Sequence, residues 1–121
     1  MKQGGPLDVV QVVKPTKLEP DQVLVRQTVV ALNGLDWKQR DFGILVESWP
    51  HVLGIEGAGV IDSVGSNVQH LQPGDEVMCW ESGMAHGAAW GGAYQEYILM
   101  PVCYMAKKPR NISMTEAASL P

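Results

Sequence analysis

Long apolar runs are missing from this sequence. No stretch approaches the about 18 residues of a membrane span, and no short apolar segment behind a charged start resembles a secretory leader. The expectation is a soluble, intracellular, cytoplasmic protein that does not associate with membranes. Basic clusters are missing too. Nine Lys and Arg stand against 13 Asp and Glu, for a formal charge of −4, so nucleic acid is not an expected partner. Cysteine is scarce: Cys79 and Cys103 form no C-x-x-C pair. Free, half-buried apolar thiols are expected rather than a disulfide. No internal repeat or low-complexity tract appears.

What is present is turn chemistry. Thirteen Gly and eight Pro are spread along 121 residues of which 45% are hydrophobic. That is the composition of one globular domain with many short strands. Leu7 to Val13 reads as a first strand, and Pro20 and Asp21 make a turn. Val23 to Leu32 is a nearly continuous apolar strand, covered on both faces for part of its length. Asn33-Gly34 breaks it. Asp36 then suits a helix cap, with Gln39 three residues on, and Gly43 suits the helix end, so a short helix is expected over Trp37 to Phe42. Gly54 to Val64 reads as a glycine-rich strand with Val60, Asp62 and Val64 on one face and Ile61 and Ser63 on the other. Pro73-Gly74 fits a type II turn. Strands follow at Glu76 to Trp80, Ala93 to Met100 and Cys103 to Ala106, with a loop over 81–90. Five or more short strands and one small helix predict an all-β barrel or sandwich.

The chain ends on "NISMTEAASLP". Ser113 and Glu116 have capping-box spacing, so a helix starts at Ser113, yet Pro121 follows within about two turns. A lone turn is too short to hold itself, and the box predicts further chain beyond it.

Three motifs carry candidate chemistry. "GIEGAGVIDSVG" (54–65) has two glycines of a dinucleotide fingerprint, but Asp62 sits at the third position and no helix pattern follows. Small residues where a strand bends or another backbone approaches explain it better. His51, His70, His86, Cys79 and Cys103 are the soft metal donors, and none are paired at structural-zinc spacing; a site of scattered ligands is less firmly excluded. "ALNGLDWKQRDFG" (31–43) joins a strand end to a helix start with polar groups, a common place for function. The alternative is that Asp36 only caps and Trp37 only packs.

In order and spacing, these segments resemble the medium-chain dehydrogenase/reductase superfamily at its N-terminal, GroES-like catalytic domain. "VLVRQTVVALNGLDWKQR" resembles the family's strand-to-helix segment. "PHVLGIEGAGVIDSVGSNVQHLQPGDEV" resembles P-x-x-x-G-x-E-x-x-G-x-V-x-x-V-G followed by G-D-x-V, and "GGAYQEYILMP" resembles G-G-x-x-x-E-Y. The resemblance implies a mainly β, GroES-like, partly open β-barrel with one or two short helices over 1–112. Residues 113–121 would begin the linker helix to a nucleotide-binding Rossmann domain absent here, and the family's usual first strand would be missing. It also implies a fragment of a longer parent.

The resemblance places Asn33 where zinc enzymes carry their first ligand, a Cys, and Ile55 beside Glu56 where they carry a His. The implied branch is therefore zinc-free, like quinone and enoyl reductases, with no metal site. It implies hydride transfer from NADPH to an enone, quinone or enoyl small-molecule substrate, with NADPH held by the full-length parent and not tightly by these residues alone. A homodimeric parent is compatible with it. Asn33, Asp36 and Lys38 are the catalytic candidates, and Asn33, Gly34 and Trp37 the cofactor-binding ones. Trp49, Glu56 and Trp90 are candidates for the substrate pocket, with ordinary packing as the alternative for the tryptophans. No Tyr lies within 38–44 to serve as proton donor.

Overall fold

The apolar run that starts at Val23 builds the strand on which everything else hangs. The computed structural model describes residues 2–80 and 91–121. Strand β1 (Gln22–Val30) lies inside a five-stranded antiparallel sheet with β2 (Gly57–Val64), β3 (Glu76–Cys79), β4 (Tyr97–Pro101) and β5 (Met105–Lys107), in the order β4-β1-β2-β3-β5. Val23, Leu24 and Val25 are all buried, as a continuous apolar run requires. One sheet face gathers the main core: Val23 and Val25, Ile61, Val77, Cys79, Ile98 and Met100, closed by Val68 and Leu71.

The sheet curls because its central pair is bulged twice. Pairing runs from Leu24↔Ser63 to Val25↔Ile61, so Asp62 is an extra residue on β2. It runs from Gln27↔Gly59 to Val29↔Ala58, so Thr28 is an extra residue on β1. Each bulge bends its strand and sharpens the local twist, giving a partly open half-barrel. The bulge at Asp62 also corrects the simple alternation expected for β2. Ile61 and Val64 both pack into the main core, because the unpaired Asp62 resets the period between them. At Gly59 a Cβ would run into the Arg26 carbonyl oxygen and approach Val25 Cγ1 to 2.8 Å. Gly57 and Gly59 are thus where β1 crosses closest, and the strand starts at Gly57, not at Gly54 as expected, because Gly54 turns at φ +100° against Tyr94.

Other boundaries move. Leu7 to Val13 forms no strand: its β-branched composition suits a ladder, but no described strand pairs with it, and Val9 and Val13 are exposed. The expected strand from Ala93 pairs only from Tyr97, because Ala93 and Tyr94 instead bond backbone to Gly54 and Leu53. Cys103 lies in a short 3-10 turn, Val102–Tyr104, that precedes β5. The first helix, α1 (Gly34–Phe42), starts earlier than expected because Asn33 is its N-cap and Asp36 its third residue; Gly43 ends it at φ +67°. The turn before β3 forms as expected, with Gly74 at φ +91° and Asp75 N–H donating to the Gln72 carbonyl at 3.1 Å. The loop expected over 81–90 lies outside the described residues. Both thiols are free but neither is half-buried: Cys79 is fully enclosed and Cys103 exposed. Burial pushes the Cys79 thiol up to about 12.

Helix α2 (Met114–Ala118) carries the expected capping box: Ser113 N–H donates to the Glu116 carboxylate at 2.7 Å, and Glu116 N–H to Ser113 Oγ at 3.2 Å. Five residues are too few to stand alone. They hold by docking Ala117 and Ala118 on Ala58, beside Met78 and Val29, on the sheet face opposite the main core.

Because Gly59 leaves no room for a methyl group, Gly59→Ala should destabilise the fold by about 1–3 kcal/mol, measured by urea unfolding. A loss below about 0.5 kcal/mol would show that β1 and β2 separate easily.

Candidate active site

Where β1 ends, Asn33-Gly34 turns the chain into α1, and the first turn of a helix leaves N–H groups without intrahelical acceptors. Asp36 answers one of them. Its Oδ2 accepts the Asn33 backbone N–H at 2.6 Å and also the Tyr94 hydroxyl at 2.5 Å. The same hydroxyl lies 3.2 Å from the Ala31 carbonyl oxygen. The Asn33 side chain turns the other way and donates from Nδ2 to Glu56 Oε1 at 2.7 Å. Asp36 and Glu56 are both buried, at 7% and 8% exposure. Two carboxylates are therefore held in the interior by one asparagine, with Tyr94 closing the far side. Asp36 Oδ1 is enclosed and accepts no hydrogen bond among the described residues.

Tyr94 reaches this corner because two glycines let it. Ala93 and Tyr94 donate backbone N–H groups to Gly54 and Leu53, both at 2.9 Å. Gly54 sits at φ +100°, and a Cβ there would strike the Tyr94 ring. Burial, then the bond to Asp36 and the charges of Asp36 and Glu56, push the Tyr94 phenol well above its ordinary value.

A cavity of about 230 Å³ opens beside this network, lined by Leu7, Leu32, Asn33, Asp36, Trp37, Arg40, Leu53 and Tyr94. Of the sequence-predicted residues it brings together Asn33, Asp36 and Trp37. Trp37 is half exposed and meets Phe42 edge-on at 5.9 Å. Glu56 lies behind the wall, bonded to Asn33. Gly34 opens α1 and is exposed. Lys38 does not line the cavity; its Nζ lies 5.7 Å from the Trp37 ring centre. Trp49 is also elsewhere, edge-on to buried His51, whose basicity burial lowers. Trp90 lies outside the described residues. Sequence reasoning missed Tyr94, Arg40 and Leu53. The signal for Tyr94 was the pair Gly91-Gly92 just before it, which lets the chain press against 52–53: a Cβ on Gly92 would overlap the Val52 and Leu53 carbonyl oxygens.

The donor set does not fit a catalytic zinc. Ile55 has no donor atom, the Asn33 amide is engaged with Glu56, and no three His, Cys, Asp or Glu side chains converge among the described residues. Leu32, Trp37, Leu53 and Tyr94 give the cavity an apolar and aromatic wall, the kind of surface on which a flat, uncharged ring packs. Buried Asp36 and Glu56 beside the α1 N-terminus oppose a diphosphate there.

The alcohol dehydrogenase GroES-like domain family matches residues 19–110. A trans-enoyl reductase of Aspergillus flavipes is 38% identical over 122 residues, spanning 98% of this chain and 35% of its own. A zinc-type alcohol dehydrogenase-like protein of Staphylococcus aureus strain MRSA252 is 36% identical over 121 residues, spanning 100% and 34%. The Escherichia coli quinone oxidoreductase solved in complex with NADPH superposes with a TM-score of 0.78 at 27% identity, over 91% of this chain and 32% of that one. The chain spans about a third of the length of these relatives.

Removing the Tyr94 hydroxyl takes a donor from a buried carboxylate, so Tyr94→Phe should lower stability at neutral pH by about 1–3 kcal/mol. The raised phenol also has a pH signature. A group whose folded value lies above its unfolded value of 10.0 contributes stability that is intact below pH 10 and is lost as pH rises further. Urea unfolding from pH 8 upward should therefore show an alkaline decline in the parent chain that is shallower in Tyr94→Phe. Equal slopes would mean that Tyr94 titrates alike in both states.

Proposed function

The chain belongs to the alcohol dehydrogenase GroES-like domain family, and we propose on that basis that it forms the catalytic domain of a zinc-independent, NADPH-dependent oxidoreductase that reduces an enone, quinone or enoyl substrate. The observation that carries this reading is the Tyr94–Asp36–Asn33–Glu56 network: it engages the polar groups of the corner with one another, and no three metal donors converge there among the described residues. The bound dinucleotide would supply the hydride. This chain's residues supply the wall against which the acceptor rests. One Asn33 amide hydrogen is spent on Glu56, and the other remains for the substrate oxygen on which negative charge builds. Asp36 fixes the backbone that carries that amide. Trp37, with Gly34 leaving its approach open, would cover the nicotinamide ring, while buried Leu53 supplies the apolar floor and exposed Leu32 the open edge. Lys38, Trp49 and Trp90 belong to the same proposal as groups brought in when substrate and the rest of the protein assemble around this face. Support for the chemistry comes from the reductase and quinone oxidoreductase names of relatives, and for NADPH from the Escherichia coli complex. A homodimeric parent and a cytoplasmic setting complete the reading; no helix among the described residues is long and apolar enough to cross a membrane.

A second reading, a module with no activity of its own, is favoured by the acidic groups at the α1 N-terminus. The two are separated by different experiments. Full-length protein containing this chain should oxidise NADPH with an enone or quinone at a rate unchanged by a chelator; loss with chelator and recovery with zinc would overturn the metal-free assignment. Calorimetry of the 121-residue chain with NADPH should show no binding at micromolar concentrations. Micromolar affinity would mean that the diphosphate finds a site among these residues after all.

A further inference from the structure

Lys107 and Lys108 are neighbours in sequence and opposite in setting. The Lys107 side chain is 59% exposed and pairs with Asp75, whereas that of Lys108 is 6% exposed. Burying an ammonium is costly unless its donors are met, and each of the three N–H groups of Lys108 has an acceptor. Nζ donates to the Ile112 carbonyl at 2.7 Å and to the Pro109 carbonyl at 3.2 Å, and lies 3.1 Å from Glu76 Oε2. The Lys108 backbone N–H donates to the Glu76 carbonyl at 2.8 Å. One residue thus fastens both ends of the turn over 109–112 to the first residue of β3. Residues 108–113 are also the connection from β5 to α2. The Ile112 side chain packs with Met114 against Ala58, Ala117 and Ala118. The carbonyl that Lys108 holds therefore belongs to the residue that leads α2 onto the sheet.

We propose that Lys108 is a positioning residue: it locks the 109–112 turn so that α2, and the part of the parent that α2 leads into, leaves the sheet in one fixed direction. Lys108 does not line the candidate cavity, so its effect on chemistry runs through geometry alone. For the reaction, this proposal rests on the reductase reading above, in which the hydride donor is held by the rest of the parent. Hydride transfer tolerates little misplacement of donor and acceptor, so a loosened joint costs rate more than binding. The joint itself is a property of this chain and is tested without any activity.

Hydrogen exchange of the 121-residue chain reads the joint directly. The Ala117 N–H donates to the Ser113 carbonyl and the Ser119 N–H to the Glu116 carbonyl. Lys108→Met keeps the apolar stem and removes the three donors. These two amides should then exchange about tenfold faster or more, while the β1–β4 ladder stays within about threefold. Glu76→Gln keeps an acceptor and removes only the charge, so it should accelerate α2 exchange less, by about threefold. Should Lys108→Met loosen the ladder as well, the Glu76→Gln comparison decides alone. Exchange in α2 that neither variant changes overturns the proposal. In full-length protein containing this chain, Lys108→Met should lower kcat about fivefold or more and leave the KM for NADPH within about twofold. The primary isotope effect with 4-deuterated NADPH should rise, as hydride transfer becomes slower than the steps around it. An unchanged kcat and isotope effect overturn the positioning role. A full-length protein that never oxidises NADPH with an enone or quinone instead overturns the reductase reading, and the exchange result still decides the joint.

Discussion

One carboxylate oxygen, Asp36 Oδ2, ties three separate stretches of the chain together. It accepts from the Asn33 backbone at the end of β1 and from Tyr94, which is anchored backbone-to-backbone on 53–54. Asn33 extends the tie to Glu56, just before β2. A buried charge is tolerated only when such partners surround it. Asp36 therefore fixes the entry of α1, and α1 fixes Trp37 and Arg40 on the cavity wall. Loosening this oxygen would free the helix start, the 92–96 segment and the Asn33 amide at once.

The sheet gives that corner its place. Val23 and Val25 are buried on one face and Leu24 on the other, so β1 cannot slide by one residue without swapping them between the two. The bulges at Thr28 and Asp62 spend that rigidity on curvature, turning the end of β1 towards Leu53 and Tyr94. The Gly59 backbone contact lets β1 and β2 approach closely between the two bulges. Helix α2 braces the reverse side with alanines, whose small volume lets a single turn lie flat on Ala58.

Local chemistry was legible in the residues, and long-range pairing less so. The apolar run at β1, the Gly43 helix stop, the Pro73-Gly74 turn and the Ser113 capping box each depend on neighbours a few positions apart, and each formed. The strand expected over Leu7 to Val13 did not, because propensity without a partner is not a ladder. The alternation in β2 failed at Asp62, since an unpaired residue leaves no mark in a two-residue period. At the site, Asn33, Asp36 and Trp37 were readable as the join of a strand and a helix. Tyr94 was not, because it reaches Asp36 across 58 positions of sequence, and only the glycines that admit its ring hinted at it. Lys38, a candidate only by resemblance, stands over the Trp37 ring and not on the cavity wall.

The contrast between the two sulfurs sets how this protein ages in air. Thiol oxidation proceeds through the thiolate. Cys79, enclosed beneath β3, scarcely ionises at neutral pH, whereas Cys103 stands open on the turn before β5. Within these 121 residues oxygen therefore finds one open sulfur. Through these two sulfurs, storage without reductant joins two of these 121-residue chains by one bond at Cys103 and goes no further.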